Sequence, residues 1–386
     1  MRLAGPALVL FSALNALAGS SCPGPSQPGD PLRGLTPDEL TRFEKGREIF
    51  ERAFTPETGL GPLFNADACG ECHEDPIVGG SGDEVEVHVG VVRPDGTCDP
   101  LVEEGGLVIQ QHATPALTKA LGIDQEPFPA HATARAGRSS PDLFGFGLLD
   151  AVPDDAILAL ADPDDRNHDG ISGRPNRFVD GRLGRFGRKA FVPNLTEFNL
   201  GAFVIEMGIT NPAVPTEESI GGKPIPAGVD PVPEPEITQE EANLVDDFVH
   251  FLAPPRALPL DGEGQRGRLI FGTIGCARCH TPSLTTGNHP VAALRFKQVA
   301  AYTDLLLHDM GAERGDICLG LASPSEFRTE PLMGLRLGTE FMHDGAAKSI
   351  EQAIQLHGGE AAAVRQRFER LTPQERAAVL RFLGSL

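Results

Sequence analysis

The chain of 386 residues is long enough to bury a large core and to form two domains. Its 33 basic residues against 54 acidic ones leave a formal charge of −21, which argues against nucleic acid or an anionic membrane surface as a partner and favours a basic protein. Abundant Gly (45) and Pro (34), a single Tyr and no Trp indicate many loops wrapped around something other than an aromatic core, a profile that a large flat cofactor would fit.

In chain order, the first residues read as an export signal. Arg2 is the charged start, Ala7 to Leu17 is an apolar run too short to span a bilayer, and Ala16-Leu17-Ala18 offers small residues for cleavage. Residues 1–21 are expected to be a signal peptide and 22–35 a Pro/Gly-rich linker, which points to a periplasmic or otherwise exported protein. Cys22 is a candidate for lipidation, but Gly19 stands where a lipobox usually carries Leu, so soluble and lipid-anchored forms both stay open. No later segment is apolar enough to cross a membrane, so any membrane attachment would run through Cys22.

An internal duplication follows. Gly46-Arg47-Glu48-Ile49-Phe50 precedes Cys69-x-x-Cys72-His73, and Gly267-Arg268-Leu269-Ile270-Phe271 precedes Cys276-x-x-Cys279-His280. Each unit also ends alike. Thr238 and Thr372 begin capping boxes with Glu241 and Glu375, and apolar helical faces follow, with Leu244, Val245, Phe248 and Val249 in one and Val379, Leu380, Phe382 and Leu383 in the other. The first copy is the longer: Val85–Val92 alternates as a strand would, and Pro212 to Pro235 is expected to be a surface loop. The expected fold is mainly α, two tandem cytochrome c-like domains with loop-rich insertions, at residues 36–260 and 261–386.

Two thiols spaced Cys-x-x-Cys can each add to a haem vinyl group, and the adjacent His then reaches the iron. Zinc would want four protein ligands per site, and a redox dithiol needs no His. Two covalently bound c-type haems are therefore expected, at Cys69/Cys72/His73 and at Cys276/Cys279/His280. Near the C-terminus, Ser349 and Gln352 form a capping box for a helix carrying Ile350, Ala353, Ile354 and His357 on one face. His357 is either a second ligand of the second iron or a histidine favoured by the negative helix end. Asp165, Asn167 and Asp169, with Gly170 and the Ile171 carbonyl, match the start of a calcium loop, although Asn176 stands where the bidentate Glu belongs; an Asx-rich turn is the alternative. Cys98 and Cys318 remain, as a disulfide or as two buried thiols.

These residues resemble the bacterial di-haem cytochrome c oxidoreductase family, also labelled thiol oxidoreductases and related to the di-haem cytochrome c peroxidases. The segments that carry the resemblance are Phe144-Gly-Phe-Gly-Leu-Leu-Asp150, Asp169-Gly-Ile-Ser-Gly173, Gly184-Arg-Phe-Gly187, Glu206-Met-Gly-Ile-Thr210, Asp304-Leu-Leu-Leu-His-Asp-Met-Gly311, Phe327-Arg-Thr-Glu-Pro-Leu332 and His343-Asp-Gly345. The resemblance implies that the N-terminal haem reacts with hydrogen peroxide and that Glu206, the carboxylate preceding Met207, moves a proton between the peroxide oxygens. It also implies that the residue fourteen after His343, His357, is the distal ligand of the second haem. Two departures stand out: the peroxidases carry Met at that ligand position, and a family Trp is replaced by Arg188. His88 is close to where some peroxidases supply a removable ligand, but a strand residue is the simpler account, and His308 and Met310 are rival ligands for the second haem. The function expected is reduction of hydrogen peroxide with electrons relayed by the second haem from a redox protein; the alternatives are a di-haem electron carrier and an oxidase that modifies a partner protein.

Overall fold

The computed structural model describes residues 27–104 and 107–386; the expected signal peptide and Cys22 lie outside them. Helix Pro37–Phe50 starts at Thr36, whose side chain accepts the Glu39 amide while the Glu39 carboxylate accepts the Thr36 amide. Pro37 sits in the first turn, where a missing N–H costs nothing. The buried face of this helix, Phe43, Gly46 and Phe50, packs on helix Gln239–Phe251, which opens with the expected Thr238/Glu241 box. A Cβ on Gly46 would lie 1.9 Å from the Leu244 carbonyl oxygen, so only glycine lets the two backbones come this close.

The second copy repeats the device. Helix Gly262–Ile274 packs on helix Pro373–Leu383, capped by Thr372 and Glu375, and a Cβ on Gly267 would meet the Ala378 carbonyl oxygen at 1.8 Å. The duplicated glycine is thus the crossing point of a helix pair. The duplicated phenylalanine packs on the closing helix in each copy, Phe50 on Phe248 with ring centroids 4.9 Å apart and Phe271 on Phe382 at 5.4 Å. A third contact places helix Leu195–Met207, capped by Asn194, against Gln239–Phe251.

The strand expected at Val85–Val92 forms there and pairs antiparallel with Ala134–Ser139 and Cys98–Asp99. Cys98 is bonded to Cys318 across 220 residues, which decides between the two alternatives left by the cysteine count. Beside it, Asp316 pairs with Lys189 at 2.7 Å and Arg138 at 2.8 Å, holding this late segment against the first half of the chain. The largest apolar cluster runs from Phe43 and Phe50 through Phe203 and Phe248 to Leu294 and Leu306, so residues on both sides of Leu260 share it. Phe271, Phe368, Val379, Phe382 and Leu383 form a smaller one. At 33% helix and 13% strand among the described residues, loops build more of the protein than the mainly α expectation allows, and they share the walls described next with helices and strands. Among the described residues no helix is long and apolar enough to cross a membrane.

Candidate functional site

Two cavities of about 270 and 290 Å³ lie beside the two Cys-x-x-Cys-His segments. Cys69, Cys72 and His73 line the first, and Cys276, Cys279 and His280 line the second. The duplicated phenylalanine stands next to the histidine in both, Phe50 at 6.1 Å from His73 and Phe271 at 6.4 Å from His280 between ring centroids. His73 Nδ1 donates to the Gly80 carbonyl at 3.0 Å, and His280 Nδ1 donates to the Tyr302 carbonyl at 2.9 Å. A proton on Nδ1 leaves Nε2 with its lone pair, the tautomer that binds a metal. Burial lowers the proton affinity of His73, and burial together with His357 takes His280 to about 4, so both rings are neutral. Burial pushes the Cys69 and Cys276 thiols up to about 12, opposite to the lowered value of a reactive redox thiol.

His357 lies just beyond the helix expected to carry it. Helix Ile350–Gln355 ends at its C-cap Leu356; at its start Ser349 Oγ accepts the Gln352 amide, while the Gln352 side chain takes the Lys348 amide rather than closing the expected box on Ser349. Ile350, Ala353, Ile354 and His357 still line the second cavity together. His357 Nδ1 donates to the Ala353 carbonyl at 2.7 Å, the same arrangement as in the two motif histidines. The His280 and His357 rings stand 6.4 Å apart between centroids. Two metal–imidazole bonds of about 2 Å, plus the distance from each Nε2 to its ring centre, span roughly 6.3 Å, so one metal ion fits between them.

The rival ligand is otherwise engaged. His308 Nε2 lies 2.8 Å from Asp304 Oδ2 and Nδ1 lies 2.9 Å from Glu360 Oε2. Burial opposes its charge, yet the contacts with Asp304, Cys279 and Glu360 hold it well above the usual histidine range, so it is an imidazolium without a free lone pair. Met310 lines the same cavity. His88 lines the first cavity, but its Nδ1 donates to the Leu107 carbonyl at 2.8 Å and its Nε2 lies 3.1 Å from Glu86 Oε2, in keeping with a strand residue.

Glu206, in the last turn of helix Leu195–Met207, faces the first cavity. Its Oε2 accepts from Asn65 Nδ2 at 2.8 Å. Asn65 Oδ1 in turn accepts the Gln111 amide at 2.9 Å, which fixes the side chain with its NH₂ toward Glu206. Burial, then the nearby Glu86 carboxylate, raises Glu206 well above the ordinary carboxyl range against the opposing Asn65 contact. Glu86 is itself buried, but His88, Arg138 and Arg188 lower it, so the cavity holds one neutral and one ionised carboxyl. Sequence reasoning missed Glu86 and Asn65. The period of two along Val85–Val92 puts Glu86 beside His88 on one face, whereas nothing local marks Asn65.

The expected calcium loop is braced by its own amides. Asp165 Oδ1 accepts from the Asp169 amide at 2.9 Å, Asn167 Oδ1 accepts from the same amide at 2.9 Å, and Asp169 pairs with Arg278 at 3.1 Å. Asn176, the twelfth position, turns away and donates to the carbonyls of Lys189 and Leu319. Among the described residues, the acidic group whose oxygens lie within 4.8 Å of one another is elsewhere, Glu217, Asp230, Glu234 and Glu236, in and beside the Pro-rich loop.

A model of the family described as "Di-haem oxidoreductase, putative peroxidase" matches residues 131–386, a span that includes the second Cys-x-x-Cys-His and begins after the first. No curated protein matches the chain. Among solved structures, a hydrazine synthase chain of Kuenenia stuttgartiensis, pressurised with xenon, is 12% identical over 98% of this chain and 100% of its own, with a TM-score of 0.38. A MauG-like protein associated with microbial copper homeostasis is 16% identical over 97% and 95%, with a TM-score of 0.40. The diheme peroxidase BthA from Burkholderia thailandensis E264 is 15% identical over 94% and 89%, with a TM-score of 0.42.

Proposed function

Because the chain belongs to the di-haem oxidoreductase family and is an enzyme, we propose that it reduces hydrogen peroxide at the first cavity with electrons relayed through the second. Two haems, attached through Cys69 and Cys72 and through Cys276 and Cys279, would supply the redox chemistry when bound. The observation that carries the reading is the repeated geometry at His73, His280 and His357: each ring is buried and neutral, with Nδ1 donating to a backbone carbonyl, the tautomer that keeps the lone pair on Nε2. We assign His73 and His280 as proximal ligands and His357 as the second ligand opposite His280, supported by the 6.4 Å ring separation. The reading of two tandem cytochrome c-like units, 36–260 and 261–386, is supported by the matching helix pairs that frame these segments.

Opposite His73 the described lining offers no second free imidazole, since both nitrogens of His88 are engaged. Glu206 faces that space instead. With Oε2 accepting from Asn65, its proton sits on Oε1, where it can pass between the two oxygens of peroxide. The departing oxygen then leaves as water, and the balance is one H₂O₂, two electrons and two protons to two H₂O. The electrons come from a redox protein whose basic face would match the −21 charge of this one. An oxidising, extracytoplasmic location is supported by the Cys98–Cys318 disulfide.

The ferric protein's optical and EPR spectra test this. One high-spin and one low-spin haem are expected; two low-spin haems would make the chain an electron carrier instead. Glu206→Gln should abolish peroxide turnover while both haems remain, and full turnover in that variant would remove Glu206 from the mechanism.

A further inference from the structure

Ser139, Ser140, Pro141, Phe146, Arg188 and Arg328 line both cavities and so form the wall between them. Two of the six are cations. Arg188 Nη1 lies 3.0 Å from Glu330 Oε2 and its Nη2 donates to the Ser139 carbonyl at 2.7 Å. Arg328 Nη2 donates to the same Glu330 oxygen at 2.9 Å and its Nε to the Gly187 carbonyl at 3.1 Å. The Arg328 amide also donates to the Arg188 carbonyl at 2.9 Å, which ties the two residues together. One carboxylate therefore serves two guanidinium groups at contact distance, and the further negative charges, Glu86 toward Arg188 and Asp304 toward Arg328, act only at longer range.

The donors are not exhausted either. Arg188 Nε and Arg328 Nη1 are buried with no acceptor, although Arg328 is only 5% exposed. A buried donor to which nothing binds costs about 1–3 kcal/mol, more when charged. Lys189, next in the chain, shows what a purely structural buried cation looks like here: its Nζ reaches Asp316 and the carbonyls of Ser323, Pro324 and Glu326. Asp142, on the second cavity, does not supply the missing acceptor: no hydrogen bond joins it to either arginine, and its own Oδ1 is buried without a partner.

What would complete this wall is an anionic acceptor arriving from each side. We propose that Arg188 and Arg328 receive carboxylates of the tetrapyrroles in both cavities and couple the two redox centres through one shared positive charge. The inference rests on the haem reading above, and it gives the position of Arg188 between the cavities a task that needs no aromatic ring: a cation held against both cofactors favours their reduced states together.

The test uses the full-length holoprotein with its haems counted by pyridine haemochrome. Spectroelectrochemical titration of Arg188→Leu should shift the oxidised-to-reduced ratio about tenfold toward oxidised at both haems, equivalent to 59 mV for each one-electron centre. Arg188→Lys, which keeps the charge, should restore most of the shift. Unchanged potentials, a shift confined to one haem, or a lysine variant no better than leucine would overturn the proposal. Should Arg188→Leu fail to load, Arg188→Gln carries the same comparison, and loss of loading in the lysine variant as well would also overturn it. Fewer than two haems in the unsubstituted protein would remove the haem reading itself, a different failure from unshifted potentials in a protein that carries both.

Discussion

Asn65 offers a way to test proton handling at Glu206 without altering the carboxyl itself. The Asn65 amide donates to Glu206 Oε2 at 2.8 Å, and no other hydrogen bond to that carboxyl is present among the described residues. A hydrogen bond to an ionised group contributes about 1.5–3 kcal/mol. The neutral acid accepts the same bond more weakly, at about 0.5–1.5 kcal/mol, so the loss in Asn65→Leu should move Glu206 by the difference, about 1 kcal/mol or roughly one pH unit on the rate profile. The sign follows from which form the donor favours. Asn65 stabilises the carboxylate, so removing it makes the proton harder to lose and adds to the rise already caused by burial and Glu86. The assay is the initial rate of peroxide-dependent donor oxidation across roughly pH 5–10, where the limb reporting Glu206 should move upward by that amount. Asn65→Asp would place a second acidic group against Glu206 and should move the limb the same way. A limb that stays in place, or moves to lower pH, in a leucine variant still carrying both haems would refute the assignment of the proton to Glu206.

Other consequences concern the second cavity and the frame. His357→Gly should convert the second haem from low spin to high spin by EPR; an unchanged low-spin signal would shift the ligand to another residue, with Met310 the first to examine. Replacing Cys98 and Cys318 together by Ser opens a closure spanning 220 residues and should cost about 3–5 kcal/mol in denaturant titrations; a loss below 1 kcal/mol would mean that Asp316 and its partners hold this segment alone. Burial opposes the charge of Glu360, but His308 and Ser172 lower it to about 2, so its contribution is present above the unfolded value near 4.3 and fades as pH falls toward 2. With part of the side chain still in contact with solvent, that contribution is about 1–2 kcal/mol after screening. Glu360→Gln should therefore lower Tm at neutral pH and flatten its acid dependence, and an equal acid slope in both proteins would count against the His308 pairing.

What could be read from residue order alone was local or periodic. Thr238 and Thr372 announce helix starts because a cap is set within three residues, and Val85–Val92 shows its strand because side chains alternate. The two Cys-x-x-Cys-His segments and the repeated Gly-Arg-x-Ile-Phe were equally plain, although that repeat did not say why glycine stands there. The reason lies in backbones that meet only after folding, at Leu244 and Ala378. Partnership across the chain was beyond residue order. Asn65 reaches Glu206 over 141 positions, His308 is silenced by Asp304 and Glu360, and Arg188 comes to stand between two cavities. Each outcome depends on which distant groups are enclosed together in a low-dielectric space, where a single hydrogen bond or charge decides protonation, and no local spacing encodes that enclosure.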